Sequence, residues 1–159
     1  MEFDEIYVRY FGDVYRFLLK LSGNRDLAEE LTSETFFKAM KAIDGFRGQC
    51  SLSVWLCQIA KNTYYTYNKK SRRLSGENEL PALAEDDVSE RVADRDTADR
   101  LRKKLHALPD PYREVFMWRV FAEMNFSEIG ALFGKSANWA CVTYHRARKM
   151  LAEKTEDEK

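Results

Sequence analysis

The sequence has no disulfide framework, few helix breakers, no net charge and no long apolar run, and each absence excludes something. Its three cysteines, Cys50, Cys57 and Cys141, are odd in number and include no CxxC. Free thiols in a reducing compartment are the expectation, against a small secreted disulfide scaffold. Only 3 prolines and 7 glycines occur in 159 residues, too few for a turn-rich β fold. No window approaches the roughly 20 apolar residues of a membrane span. The N-terminus, Met1 to Glu5, is acidic and lacks a signal-peptide core, so a cytoplasmic location is expected. His106 and His145 are far apart, no Cys or His spacing suits zinc, and no P-loop, GxSxG or HExxH motif is present. Neither a cofactor, a metal nor catalysis is expected.

What the chain does contain is 45% hydrophobic and 33% charged residues, the balance of a globular protein. The net charge is zero, but the charges are segregated. Lys69, Lys70, Arg72 and Arg73 form one basic cluster, and His145, Arg146, Arg148 and Lys149 form another. Glu77, Glu79, Glu85, Asp86, Asp87 and Glu90 lie between them. A neutral chain can therefore carry two local anion-binding faces.

Apolar spacing predicts an all-α protein of two small helical domains. Ile6, Tyr10, Val14, Phe17, Leu18 and Leu21 mark one helix face, ended by Gly23 and Asn24. A second helix is expected from Asp26, with Glu29 as its capping-box partner, through Leu27, Leu31, Phe36, Met40 and Ile43. A loop opens at Gly45 and Gly48. The third helix begins near Ser51 or Ser53 and carries Leu52, Trp55, Leu56, Ile59, Ala60, Tyr64 and Tyr67 into the first basic cluster. These helices make a lobe over residues 1–73. Residues 74–96, acidic and holding Pro81, read as a linker. A second lobe over 97–154 opens on the stripe Leu101, Leu105 and Leu108, stopped by Pro109 and Pro111. A helix from Tyr112 to about Ala122 follows, with Val115, Phe116, Trp118 and Val120. Asn125 and Glu128 then cap a short helix, Gly134-Lys135-Ser136 turns, and a last helix runs from Ala137 to about Leu151. Two helices joined by a short glycine turn make a helix-turn-helix.

The last helix carries the first chemistry. Ala140, Tyr144, Ala147 and Leu151 share the face that must pack. The opposite face holds Asn138, Val142, His145, Arg146 and Lys149. Asn reads adenine and Arg reads guanine, each bidentately, while Lys149 and Arg148 suit phosphates. The helix start at Lys135 and Ser136 offers backbone N–H groups and a positive dipole to a phosphate. The competing interpretation is a solvated charged face.

The third helix mixes aromatics with bases, Trp55, Tyr64, Tyr65 and Tyr67 ahead of Lys69, Lys70, Arg72 and Arg73. Rings stack on unpaired bases while cations hold the backbone, a combination suited to melted DNA. Trp55 and Tyr64 are expected in the core, and Tyr65 on a different face. One of Phe36 and Phe37 should be core and the other interface.

These motifs together resemble the extracytoplasmic-function sigma factors of bacterial RNA polymerase, in the sigma-70 superfamily. The segment Asp26 to Ala39 is similar to the family's polymerase-docking segment. Phe46-Arg47-Gly48 through Trp55-Leu56 and Ile59 to Asn62 are similar to its promoter-melting segment. Leu108-Pro109, Tyr112 to Phe116, Ser127 to Gly130 and His145 to Arg148 resemble its promoter-reading lobe. The resemblance implies transcription initiation on core polymerase in a stress or envelope response, with contacts to the β′ clamp coiled coil and the β flap. It places Leu31, Glu34, Phe36 and Lys38 at the clamp. It places a flipped −10 base in the loop that includes Gly48, Ser51 and Ser53, with Asn62, Tyr65 and Thr66 beside that strand and Lys69, Lys70, Arg72 and Arg73 on its phosphates. It places Lys135, Ser136, Asn138, Val142, His145, Arg146 and Lys149 at the −35 element. An anti-sigma partner, commonly membrane-tethered, is implied too. Thr66 and Cys141 depart from the family, whose members often carry Asp or Asn and Lys or Arg there. The rival is a free-standing helix-turn-helix regulator of duplex DNA, which has no use for an aromatic-basic third helix.

Overall fold

A computed structural model describes residues 2–75 and 92–157, and the side chains of 2–71 and 97–152. Every regular element among the described residues is a helix, so the fold is all-α. The chain divides into two compact units, residues 1–86 and 87–159. The linker expected over 74–96 falls mostly on residues outside those described. At its edges, helix continues to Ser75 and is already present at Val92.

In the first unit, α1 (Phe3–Ser22) buries Ile6, Val14, Phe17, Leu18 and Leu21, the periodic stripe of the sequence, whereas Tyr10 is only half-buried. Asp4 and Glu5 face the positive end of its dipole. Gly23 ends it with φ 71°, a left-handed cap that costs glycine nothing, and donates its N–H to the Leu19 carbonyl at 2.7 Å. α2 (Arg25–Ala42) starts two residues later, which forces it back along α1. Its cap is Asn24, whose side-chain oxygen accepts from the Leu27 N–H at 3.1 Å, and not the expected Asp26 with Glu29. Asp26 lies within the first turn instead. The inner face of α2 carries Leu27, Ala28, Leu31, Phe36 and Ala39. Two buried threonines stay satisfied by bonding their own helix, Thr32 to the Ala28 carbonyl at 2.6 Å and Thr35 to that of Leu31 at 2.7 Å. A single 3-10 turn, Ile43–Gly45, leads to an irregular stretch and then to α3 (Leu52–Ser75). Val54, Leu56, Cys57, Ala60, Thr63, Tyr64 and Asn68 turn inward. Trp55, expected in the core, is half-buried.

The second unit holds α4 (Val92–Ala107), α5 (Tyr112–Val120), α6 (Phe126–Leu132) and α7 (Ala137–Asp157). Pro109 and Pro111 separate α4 from α5. Trp118, Leu105, Leu108, Met117, Ile129 and Val115 are fully buried, each side chain removed from water stabilising the unit by about 1.5–3 kcal/mol. Leu101, expected in the same stripe as Leu105, stands 36% exposed. The capping box of α6 is present as read from the sequence. The Asn125 side chain accepts from the Glu128 N–H at 2.8 Å, and Glu128 accepts from the Asn125 N–H at 3.1 Å.

Candidate nucleic-acid interface

The turn between α6 and α7 fixes how α7 is presented. Gly134 adopts φ 66°, and the Lys135 N–H returns to the Gly130 carbonyl at 2.8 Å. Gly130 itself is buried against that turn. A Cβ there would sit 2.5 Å from the Ser136 carbonyl oxygen and 2.8 Å from that of Lys135. The Ser136 hydroxyl accepts from the Trp139 N–H at 3.0 Å, so α7 starts on a side-chain cap. From there Ala140, Thr143, Ala147 and Leu151 are buried. Tyr144 is half-buried between the rings of Phe116 at 5.8 Å and Phe126 at 5.7 Å. The packed side is therefore settled, and Asn138, Val142, His145, Arg146 and Lys149 all emerge on the other side, exposed, with Lys135 and Ser136 at its start. Arg148 lies 5.9 Å from the Tyr144 ring, on a different side from that stripe.

In the first unit the outward face of α3 gathers Asn62, Thr66, Lys69 and Lys70, all exposed, with Tyr65 half-buried beside them. Steps of three and four put Asn62, Tyr65, Thr66 and Lys69 on one stripe, opposite the buried Ala60, Tyr64 and Asn68. The Tyr65 ring meets that of Tyr64 at 5.4 Å, edge to face, which holds it in place. The side chains of Arg72 and Arg73 lie outside the described residues. Before the helix, Gly48 takes φ 76° and Gly48 and Ser51 are exposed, while Ser53, expected in the loop, is half-buried in the first turn of α3. The Ser51 hydroxyl accepts from the Val54 N–H at 3.2 Å and caps α3. The Phe46 ring packs on Trp55 at 5.0 Å, so both ends of the loop are anchored to the same helix. The loop leads into the start of α3, and the stripe begins at Asn62, about 15 Å further along the same helix.

The docking residues expected on α2 separate. Leu31 is 1% and Phe36 2% exposed, so both belong to the core and neither can touch a partner. Glu34 is exposed, and Lys38, 3.5 Å from Glu34, donates to the Thr63 hydroxyl at 3.2 Å. Phe36 sits against the rings of Phe3, Tyr7 and Phe11, which follow one another by steps of four along α1, outside the stripe expected to pack. The outward residue of the pair is Phe37, 53% exposed with the Lys41 ammonium 4.2 Å from its ring centre. Trp139, absent from the expected readers, flanks the exposed stripe of α7 and is held by Phe133 at 5.2 Å. An aromatic at the first turn of α7 was the available signal.

None of Cys50, Cys57 and Cys141 is in a disulfide. Burial, reinforced by the charge of Asp13, pushes the Cys57 thiol from 9.0 up to about 12. The unfolded thiol loses its proton from pH 9 upward while the folded one keeps it. The resulting stability is complete below pH 9 and drains away as pH rises toward 12. At pH 10 the loss attributable to Cys57 should be on the order of 1 kcal/mol. Urea unfolding at pH 8 and pH 10, with Cys57→Ala alongside, measures it; an equal loss in both proteins contradicts the assignment.

Two family models match the chain, sigma-70 region 2 over residues 6–74 and sigma-70 region 4 over residues 98–151. Similar curated proteins include the sigma factors SigM and YlaC of Bacillus subtilis. SigM is 32% identical, with 95% of this chain and 93% of SigM aligned. YlaC is 26% identical, with 93% and 88% aligned. Among solved structures, the sigma factor RpoE of Bartonella quintana, in complex with the anti-sigma factor NepR, shares the fold with a TM-score of 0.64 at 22% identity, over 99% of this chain and 98% of that one. CnrH, solved with the cytosolic domain of CnrY, gives 0.65 at 20% identity, over 99% and 89%.

Proposed function

The chain belongs to the extracytoplasmic-function sigma factors of the sigma-70 family, which direct RNA polymerase to promoters, and from that premise we propose how its two units divide the work. The second unit reads the −35 element as duplex through Lys135, Ser136, Asn138, Val142, His145, Arg146 and Lys149. The first unit captures the opened −10 strand with the Gly48–Ser53 loop, Asn62, Tyr65 and Thr66, and with Lys69, Lys70, Arg72 and Arg73 on phosphates. Residues 1–73 and 97–154 are the working limits of these two domains. The observation that carries this reading is the contrast between two outward faces. One is a stripe of base-reading side chains on a capped helix, and the other an aromatic-basic stripe on the helix that a glycine loop leads into.

Core polymerase docks on the exposed side of α2, at Glu34, Lys38 and Phe37. The energy for strand opening comes from stacking and phosphate contacts with the captured strand, so the chain needs no catalysis of its own. The protein acts in the cytoplasm; no described helix is long and apolar enough to cross a membrane. An anti-sigma protein holds it inactive until an envelope or other stress signal arrives. Tyr7, Val8, Phe37 and Met40, all exposed on the first unit, give such a partner apolar surface. Affinity capture from lysate should then recover a second protein beside polymerase; polymerase alone counts against it.

The test of the division is binding of the reconstituted holoenzyme to two templates, one fully paired and one with the −10 region held open. Tyr65→Ala should weaken binding of the open template by about 1–3 kcal/mol, one stacked base, and close most of the gap between the two. Equal preference for both templates in the parent protein would leave only a duplex reader.

A further inference from the structure

One residue on the exposed stripe of α7 cannot do what its neighbours do. Asn138, His145, Arg146 and Lys149 all carry hydrogen-bonding groups, and all are exposed. At 3.6 residues per turn they lie within roughly 60° of Val142 around the helix axis, which puts Val142 in the middle of the stripe. Val142 is 40% exposed and carries no donor or acceptor. The buried residues that orient α7, Ala140, Thr143, Ala147 and Leu151, lie on the opposite side of the helix, so Val142 is not part of its unit's core. Trp139, the other apolar residue on that side, is held back against Phe133.

We propose that Val142 is a specificity-determining residue that recognises the 5-methyl group of a thymine in the −35 duplex. This rests on the reading that α7 enters the major groove there, and it adds the chemistry of one base step. Among the four bases only thymine presents an apolar group in that groove. Opposite any other base edge, valine would strip water from a donor or acceptor and return nothing. A β-branched side chain in a helix keeps one strongly preferred rotamer, so its methyls are presented without further ordering. Asn138 lies one turn before it and Arg146 one turn after. The thymine therefore falls between an adenine, which suits Asn138, and a guanine, which suits Arg146.

The experiment uses the holoenzyme and a promoter duplex selected by it from a library randomised across the −35 region. Each thymine of the selected sequence is replaced singly by deoxyuridine, which removes the methyl and leaves every hydrogen-bonding group. One position should lose about fourfold in affinity, the factor one buried methyl contributes. Cytosine at that position should gain about the same factor when replaced by 5-methylcytosine. Val142→Ala should bind the thymine and uracil duplexes alike. A selected sequence without thymine there, deoxyuridine without effect at every position, or an undiminished methyl effect in Val142→Ala overturns the assignment. Replacement of the whole −35 region by unrelated sequence separates the two levels. If that replacement abolishes binding while deoxyuridine is neutral, only the role of Val142 falls. If it has no effect, reading of −35 by α7 falls as well.

Discussion

Replacing Gly130 by alanine should destabilise the second unit by about 3 kcal/mol, at the upper end of what overpacking costs, and impair −35 binding with it. The reason is local and severe. The added Cβ would lie 2.5 Å from the Ser136 carbonyl oxygen, 2.8 Å from the Lys135 carbonyl oxygen and 2.8 Å from the Ser136 carbonyl carbon. All three are backbone atoms, so no side chain can swing away. Retreat of the turn would break the bond from the Lys135 N–H to the Gly130 carbonyl, 2.8 Å long, and displace the Ser136 cap of α7. The substitution thus strains the two-helix motif at the turn that sets which side of α7 is exposed. Denaturant unfolding followed by tryptophan fluorescence measures the effect, since Trp118 and Trp139 report on this unit. Gly45→Ala, where nothing lies within 4 Å of the added atom, is the control and should stay within about 0.5 kcal/mol of the parent. A Gly130→Ala protein as stable as that control would show that the turn relaxes freely.

Arg146→Ala is the second large effect, on recognition rather than stability. Arg146 is exposed on α7, so its loss should leave the fold intact. A bidentate arginine–guanine contact discriminates by about 1–3 kcal/mol, a loss of roughly 5- to 150-fold at one base pair. Preference should relax at that position and persist at the others. Arg146→Lys should not restore it, because an ammonium lacks the planar fork that matches the guanine edge. Lys149→Ala offers the contrast, a weakening nearly uniform across sequences with a shallower salt dependence, as removal of one phosphate contact requires. Competition binding of holoenzyme to promoters altered singly through the −35 region distinguishes them. If Arg146→Ala also weakens all sequences equally, Arg146 holds a phosphate and the readout lies elsewhere on the stripe.

Much of this was legible in the sequence because helices announce themselves by period. The stripes of α1 and α7 came from steps of three and four that the structure places inside. The capping box at Asn125 and Glu128 was readable because both its members are side chains three residues apart. The start of α2 was misplaced for the complementary reason. Asp26 and Glu29 fit the same pattern, but Gly23 ends α1 in a left-handed turn that leaves Asn24 alone in position to cap. The start of α4 was hidden because Val92 to Asp96 offer little apolar periodicity, and charge alone does not distinguish helix from linker. Leu31 and Phe36 show the limit for sites. Apolar residues on an amphipathic helix look alike in sequence whether they face their own core or a partner. Only the rings of Phe3, Tyr7 and Phe11 around Phe36 decide the matter. The exposed side of α7 was recoverable because the opposite face is made of small and apolar residues that can only pack.

The helices of the first unit pack α1 on α2, α2 on α3 and α1 on α3, all between Phe3 and Ser75. Contacts so near one another along the chain close quickly, in the microsecond-to-millisecond range of helical bundles. A ribosome adds residues at about 5–20 per second, far more slowly. The amino-terminal half can therefore settle while α7 is still being translated. Newly made molecules would present the finished outer side of α2, with Glu34 and Phe37 exposed, before α7 exists.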